Sequence, residues 1–285
     1  MRRTVKITTT LAATTALALS LTACGGDSKA DPKTGAAADA SAPLTVAASP
    51  VPHADILGYV RDNLAAKAGL KLEVKEFTDY VLPNTATEDG QVDANFFQHK
   101  PYLDDFNTKQ GTHLVPVTAV HVEPLGLYSK SLDDLKKLGA GSTVALPNDT
   151  TNAGRALQLL ADNGLITLKD GVAPSAATLA DVADGKGLKF KELEAATLPR
   201  ALGEVDAAVI NGNYALEADL KPARDALALE KAEGNPYANL LVVKAGGEKD
   251  PRVVKLAKLL NSAEVRAFIE KEYAGSVIPA FGAAG

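Results

Sequence analysis

Three short landmarks occur twice in this chain and in the same order, which implies a duplicated unit before any secondary structure is assigned. Thr45-Val46-Ala47 returns as Thr143-Val144-Ala145, and Gly69-Leu70-Lys71 returns as Gly187-Leu188-Lys189. Gly90-Gln91-Val92-Asp93-Ala94 returns as Gly203-Glu204-Val205-Asp206-Ala207. The offsets are 98, 118 and 113, so loop lengths differ while the order holds. Local periodicity agrees. Ile56, Val60 and Leu64 share one helical face, and Gly69 follows where a helix end favours a left-handed residue. Leu70, Leu72 and Val74 then alternate with Lys71, Glu73 and Lys75, the pattern of a strand with one buried face. In the second copy Ala156, Leu159 and Leu160 share a helical face that ends at Gly164. Strands alternating with helices imply an α/β chain of two lobes, each a mainly parallel sheet flanked by helices. Ligands of such sheets lie off the carboxyl ends of the strands, here in the cleft between the lobes.

The N-terminus is of another kind. Arg2, Arg3 and Lys6 precede an apolar-rich run from Leu11 to Leu21, and Leu21-Thr22-Ala23-Cys24 closes it. The run is shorter than the roughly 20 residues of a spanning helix and has the layout of a signal peptide over residues 1–23. Leu-Thr-Ala-Cys resembles the bacterial lipobox, which implies cleavage before Cys24 and lipidation of its sulfur, with palmitate among the expected acyl groups. Cys24 is the only cysteine, so no internal disulfide is available. Residues 24–43 carry no large apolar side chain until Leu44 and are expected to form a flexible tether. The expected location is therefore the cell envelope, outside the cytoplasm, on a membrane reached through Cys24. The net charge of −5 becomes −8 once the three basic leader residues are removed, and no basic cluster remains, which argues against nucleic acid. The folded part is expected to divide into one lobe over 44–123 plus 243–285 and another over 124–242, with hinges near Val122 to Leu127 and Asn239 to Val243.

Three groups of cleft-facing residues carry candidate chemistry. Pro147 to Arg155 is a strand-to-helix turn in which Thr151 or Asn152 can cap the helix, and Arg155 can grip a carboxylate or remain a solvated helix residue. Tyr80, Phe97 and Tyr102, with His99 as a polar edge, can wall a pocket; Phe96 and Phe97 face opposite sides of a strand, so at most one reaches a ligand. Asn211-Gly212-Asn213 follows an apolar strand and can orient an ammonium group or only make a turn. No Gly-x-Ser-x-Gly nucleophile turn or paired catalytic cluster stands out, so an enzyme and a cofactor are not expected. His53, His99, His113 and His121 do not fall at helical metal-ligand spacing, and no metal is expected.

Glu76 to Leu103 (EFTDYVLPNTATEDGQVDANFFQHKPYL), with PNDTTNAGRAL, AVINGNYALEADL and NPYANLLVV, resembles the NlpA/MetQ family of methionine-binding lipoproteins. The resemblance covers nearly all of Leu44 to Pro279. It implies a type II periplasmic-binding-protein-like fold that closes on methionine and delivers it to an ABC importer, a permease with its ATPase, with the receptor itself expected to be a monomer. It implies that Arg155 binds the ligand carboxylate, that Asn213 helps hold the amino acid, and that Tyr80, Phe97, His99 and Tyr102 line the thioether, with Asn152, Asn211 and Asn239 in looser roles. Thr150 stands where the family commonly has Pro, and Asn213 is Thr in some members, so the main amide contact is Asn211 or Asn213. L-methionine, D-methionine, a derivative, another small amino acid or a dipeptide all remain open as ligands, with a metal receptor or a secreted enzyme as rival classes.

Overall fold

The computed structural model describes residues 41–283. The leader, Cys24 and the tether up to residue 40 lie outside the described residues. In chain order the strands are β1 (Leu44–Ala48), β2 (Leu72–Glu76), β3 (Ala94–His99), β4 (Leu114–Val122), β5 (Gly126–Tyr128), β6 (Thr143–Pro147), β7 (Thr167–Leu168), β8 (Val182–Asp184), β9 (Lys189–Leu193), β10 (Ala207–Ile210), β11 (Ala228–Leu229), β12 (Ala238–Lys244) and β13 (Ile278–Gly282). The principal helices are α1 (Asp55–Val60), α2 (Leu82–Glu88), α3 (Lys100–Gln110), α4 (Thr150–Asp162), α5 (Leu198–Ala201), α6 (Gly212–Glu217), α7 (Pro222–Asp225), α8 (Pro251–Leu260) and α9 (Ala263–Tyr273).

Two sheets carry the fold, one ordered β13-β4-β12-β3-β1-β2 and the other β11-β5-β10-β6-β9. The duplicated landmarks occupy matching places in them. β1 pairs in parallel with β2 and β3, and β6 pairs in parallel with β9 and β10. Each sheet is mixed, because β12 meets β3 and β5 meets β10 antiparallel where the chain passes between sheets. The repeat has a hydrogen-bond basis. The Asp93 carboxylate accepts the Thr45 N–H at 2.7 Å, and the Asp206 carboxylate accepts the Thr143 N–H at 2.7 Å. In each copy the Asp N–H returns the bond to the Thr carbonyl. One acidic side chain thus ties the third strand of the unit to the start of the first. Gly69 and Gly187 take the left-handed backbone that these turns need.

β10 is buried along its whole length and is apolar on both faces. Val144, Leu146 and Val209 pack beneath Leu157 and Leu160 of α4, while Ala145, Ala208 and Ile210 pack against Leu198 and Tyr214. In the larger sheet Val46, Phe96 and Leu241 meet Ile56, Leu57, Leu256 and Ile269. β12 pairs with β3 and β4 throughout, so the chain's return to the six-stranded sheet precedes Ala238, earlier than position 243. No described helix is long and apolar enough to cross a membrane.

Candidate functional site

The carboxyl ends of β2, β3, β4, β6 and β10 converge, and the loops that leave them line a small cavity. Tyr80, Phe97, His99, Tyr102, Asn152, Arg155, Asn211, Asn213 and Asn239 all line it, together with Gln98, Glu123 and Gly212. Phe96 points the other way into the six-stranded core, as strand alternation requires.

Arg155 is not a solvated helix residue. It is 4% exposed, and its guanidinium is fixed on three sides. Nε donates to Glu230 Oε1 at 2.8 Å, Nη2 donates to Glu230 Oε2 and to the Glu123 main-chain oxygen, and the plane lies 4.3 Å from the Tyr237 ring centre. Nη1 has no protein hydrogen bond among the described residues and is the nitrogen left for a ligand anion. Asp149 caps α4, accepting the Asn152 N–H at 3.0 Å, in place of the expected Thr151 or Asn152.

The capping carboxylate also sets a relay. Asp149 accepts from Asn152 Nδ2, which leaves Asn152 Oδ1 as an acceptor for Asn211 Nδ2 at 3.0 Å and His99 Nε2 at 3.2 Å. His99 Nδ1 in turn accepts the Tyr102 N–H, so the ring is neutral with its hydrogen on Nε2. Burial, with Arg155 adding to it, lowers the His99 pKa to about 3. Tyr80 donates to Asn213 Oδ1 at 2.5 Å, and Tyr102 donates to the Tyr80 carbonyl. The rings of Tyr80, Phe97 and Tyr102 stand 5.8–6.0 Å apart in tilted and edge-on contacts. The result is an apolar box at one end, a guanidinium at the other, and amides between them.

Glu123, Glu230 and Tyr237 escaped the sequence reading. Acidic residues are common in this chain, and nothing in their spacing separates these two from solvated ones. Pairing a buried Arg with a required counter-charge is the one rule that could have prompted a search for Glu230. His53 and His121, far from helical ligand spacing, converge through space on Glu123, with candidate ligand atoms within 4.8 Å of one another. The His121 Nε2 to Glu123 Oε1 distance is 2.7 Å, a hydrogen bond.

Two mixed α/β sheets joined around a closed small-molecule cavity define the substrate-binding-protein class of fold. Within it, the chain belongs to the NlpA lipoprotein family, whose model matches residues 44–281. It is 42% identical over 241 residues to the methionine-binding lipoprotein MetQ of Bacillus subtilis (strain 168), covering 83% of this chain and 87% of that protein. It is 44% identical over 214 residues to the D-methionine-binding lipoprotein MetQ of Escherichia coli (strain K12), covering 74% and 79%. The structure of a nutrient binding protein from Burkholderia cenocepacia bound to methionine matches with a TM-score of 0.80 at 44% identity, covering 84% of this chain and 100% of that one. The crystal structure of the methionine binding protein MetQ matches at 0.82 with 39% identity, covering 86% and 100%.

Proposed function

We propose that this chain is a lipid-anchored, extracytoplasmic receptor that captures methionine and presents it to the permease and ATPase of an ABC importer. The observation that carries the reading is one small cavity with Arg155 Nη1 open at one end and the Tyr80, Phe97 and Tyr102 rings at the other. A zwitterion with an apolar tail needs those two ends at a fixed distance. A thioether gains about 0.3–1.5 kcal/mol from each aromatic contact. Arg155 takes the ligand carboxylate, the amides hold the polar centre, and His99 stays neutral beside the aromatic end. The sheets form the cores of two lobes, one over 44–123 with 238–283 and the other over 124–237. The chain binds and releases its ligand without chemistry upon it. Cys24, cleaved free of the leader and acylated, tethers the receptor to the membrane.

The test uses soluble protein beginning at Gly25. Native mass spectrometry looks for a copurified amino acid, and unfolding and refolding in amino-acid-free buffer precedes calorimetric titration with L- and D-methionine. Methionine is expected to bind, and Arg155→Ala to weaken binding by at least about 30-fold, as expected when a buried charge loses its partner. Absence of binding to both enantiomers would remove methionine as the ligand.

A further inference from the structure

The chain enters the six-stranded sheet at the amino end of β1, which pairs in parallel with β2 and β3 and so lies on the far side from the cavity. One surface gathers around that entry point. The Leu44 N–H donates to the Lys71 carbonyl at 2.8 Å, and Arg252 of α8 donates through Nη1 to the Pro43 carbonyl at 2.8 Å. Ser41, Ala66, Gly69, Leu70 and Lys71 line a hollow beside it. Lys255 Nζ, also from α8, donates to the Gly69 carbonyl at 3.1 Å and so draws α8 against the turn between Lys67 and Lys71.

α8 is two-sided. Val253, Leu256 and Leu260 are buried in the core, while Pro251, Val254, Lys255 and Lys258 recur at three- and four-residue spacing on the other side. Val254 is 52% exposed, and the other large apolar side chains left so open among the described residues, Val81 and Leu82, lie at the start of α2. Lysines elsewhere, Lys100, Lys137 and Lys244 among them, pair with carboxylates. Among the described residues Lys67, Lys71, Lys255 and Lys258 form no ion pair. The face that surrounds the chain's entry is thus cationic, unneutralised, and apolar at Val254. About four or more such cations beside an anchor attract anionic headgroups within a Debye length of the surface, and a short apolar side chain among them can enter the interface.

We propose that this face, Val254 with Lys67, Lys71, Lys255 and Lys258, rests on the anionic lipid surface to which the chain is tethered. This rests on the reading of Cys24 as a lipid anchor and goes beyond it, from attachment to orientation. Nineteen residues, Gly25 to Pro43, separate Cys24 from Leu44. A flexible chain of that length spans about 25 Å. Such a link holds the face at an effective concentration of about a millimolar, so a contact too weak to recruit free protein is occupied once the chain is attached. β1 and β2 run from this face towards the cavity, so a docked receptor turns its site away from the bilayer, towards arriving solute. Delivery then requires the face to let go, which salt-screened lysine contacts permit.

The test couples the mature chain, which starts at Cys24, through its only thiol to maleimide-bearing lipid in vesicles, and reads the acetylation rate of each lysine by mass spectrometry. On vesicles containing phosphatidylglycerol, Lys67, Lys71, Lys255 and Lys258 are expected to be protected by about 3-fold or more relative to vesicles of phosphatidylcholine alone. Lys130 and Lys189, exposed beside β5 and β9 of the smaller sheet, stay unchanged. At about 1 M salt, where the Debye length falls to about 3 Å, the protection is lost. The double variant Lys67→Glu, Lys258→Glu, altered at two exposed positions, removes the protection of Lys71 and Lys255 as well and, far from the cavity, leaves methionine binding as it was. Protection spread evenly over all lysines, protection independent of phosphatidylglycerol, or none at all overturns the proposal. Because the coupling is chemical, each of those results leaves the anchored reading standing; an unacylated Cys24 in protein taken from its own cells removes that reading and this inference with it.

Discussion

Three buried histidines line or underlie the cavity, and their protonation sets how the site responds to acid. His53, His99 and His121 are buried, and burial lowers them to about 4, 3 and 3. Unfolding returns each ring to its ordinary value of about 6.5. Groups lowered in the fold contribute stability that is fully present above about pH 6.5 and lost as pH falls towards 4 and 3, by about 1.4 kcal/mol per pH unit for each ring that charges on unfolding. Glu123 and Asp149, raised by burial, oppose the trend. Long-range ¹⁵N–¹H spectra of the imidazoles at pH 5.5 are expected to show all three rings neutral in the folded protein, with His99 hydrogen on Nε2. A charged His99 at that pH would contradict the relay from Asp149 through Asn152. The Arg155 and aromatic positions were visible in the sequence because turn residues and rare aromatics cluster beside predicted strand ends. Glu123 was not, because its contacts are two histidines from 70 residues away and two residues away in sequence, a convergence that only the folded sheet creates.

Among the elements, α4 shows how a packed helix overrides local preference. Gly154 lies inside it, one residue before Arg155, where alanine would ordinarily stabilise a helix by about 1 kcal/mol. A Cβ at this position would stand 2.3 Å from the Pro174 carbonyl oxygen and 3.0 Å from the Ala177 nitrogen, both backbone atoms. Gly154→Ala is therefore expected to destabilise by about 1–3 kcal/mol, the usual cost of overpacking, with a lowered urea midpoint. A gain in stability would show that the Pro174 turn yields freely. The strand-level device is the aspartate that joins the repeated units. Asp206→Ala leaves the Thr143 N–H without its 2.7 Å partner and is expected to cost about 1–3 kcal/mol. Asp93→Ala is expected to cost more, since Asp93 also accepts from Arg252 at 2.9 Å. Paired urea titrations test the order. The repeat made this architecture legible: landmarks in register predicted two related sheets, and they lie at equivalent strands. Strand direction was legible only in part, because the antiparallel members β5 and β12 at the crossings between sheets, and β13 at the end of the chain, leave no mark in local periodicity.

At the scale of the molecule, the cavity is closed by bonds that run from one sheet's loops to the other's. Tyr80 donates to Asn213, Tyr214 donates to the Thr78 carbonyl at 3.1 Å, and His99 meets Asn152. The crossings lie side by side. The Glu230 N–H donates to the Leu125 carbonyl, and the Leu125 N–H donates to the Glu230 carboxylate at 3.1 Å, the same carboxylate that holds Arg155. We place the hinge at these adjacent crossings, Glu123 to Leu125 and Glu230 to Tyr237; the second precedes the Asn239 to Val243 region expected from sequence, which lies inside β12. A ligand held by Arg155, as proposed, would thereby be linked to these crossings. Closure is therefore expected to depend on ligand, with the radius of gyration from small-angle scattering falling when methionine is added to refolded, ligand-free protein. An identical profile with and without ligand would remove closure from the mechanism. Tyr214→Phe separates closure from contact, because Tyr214 bridges the halves without lining the cavity. Losing one neutral hydrogen bond of about 0.5–1.5 kcal/mol should speed ligand release by about 2- to 12-fold. If the bond forms only on closure, the association rate stays near that of wild type, and stopped-flow measurement of both rates decides whether the bond acts on the closed state or on the fold as a whole.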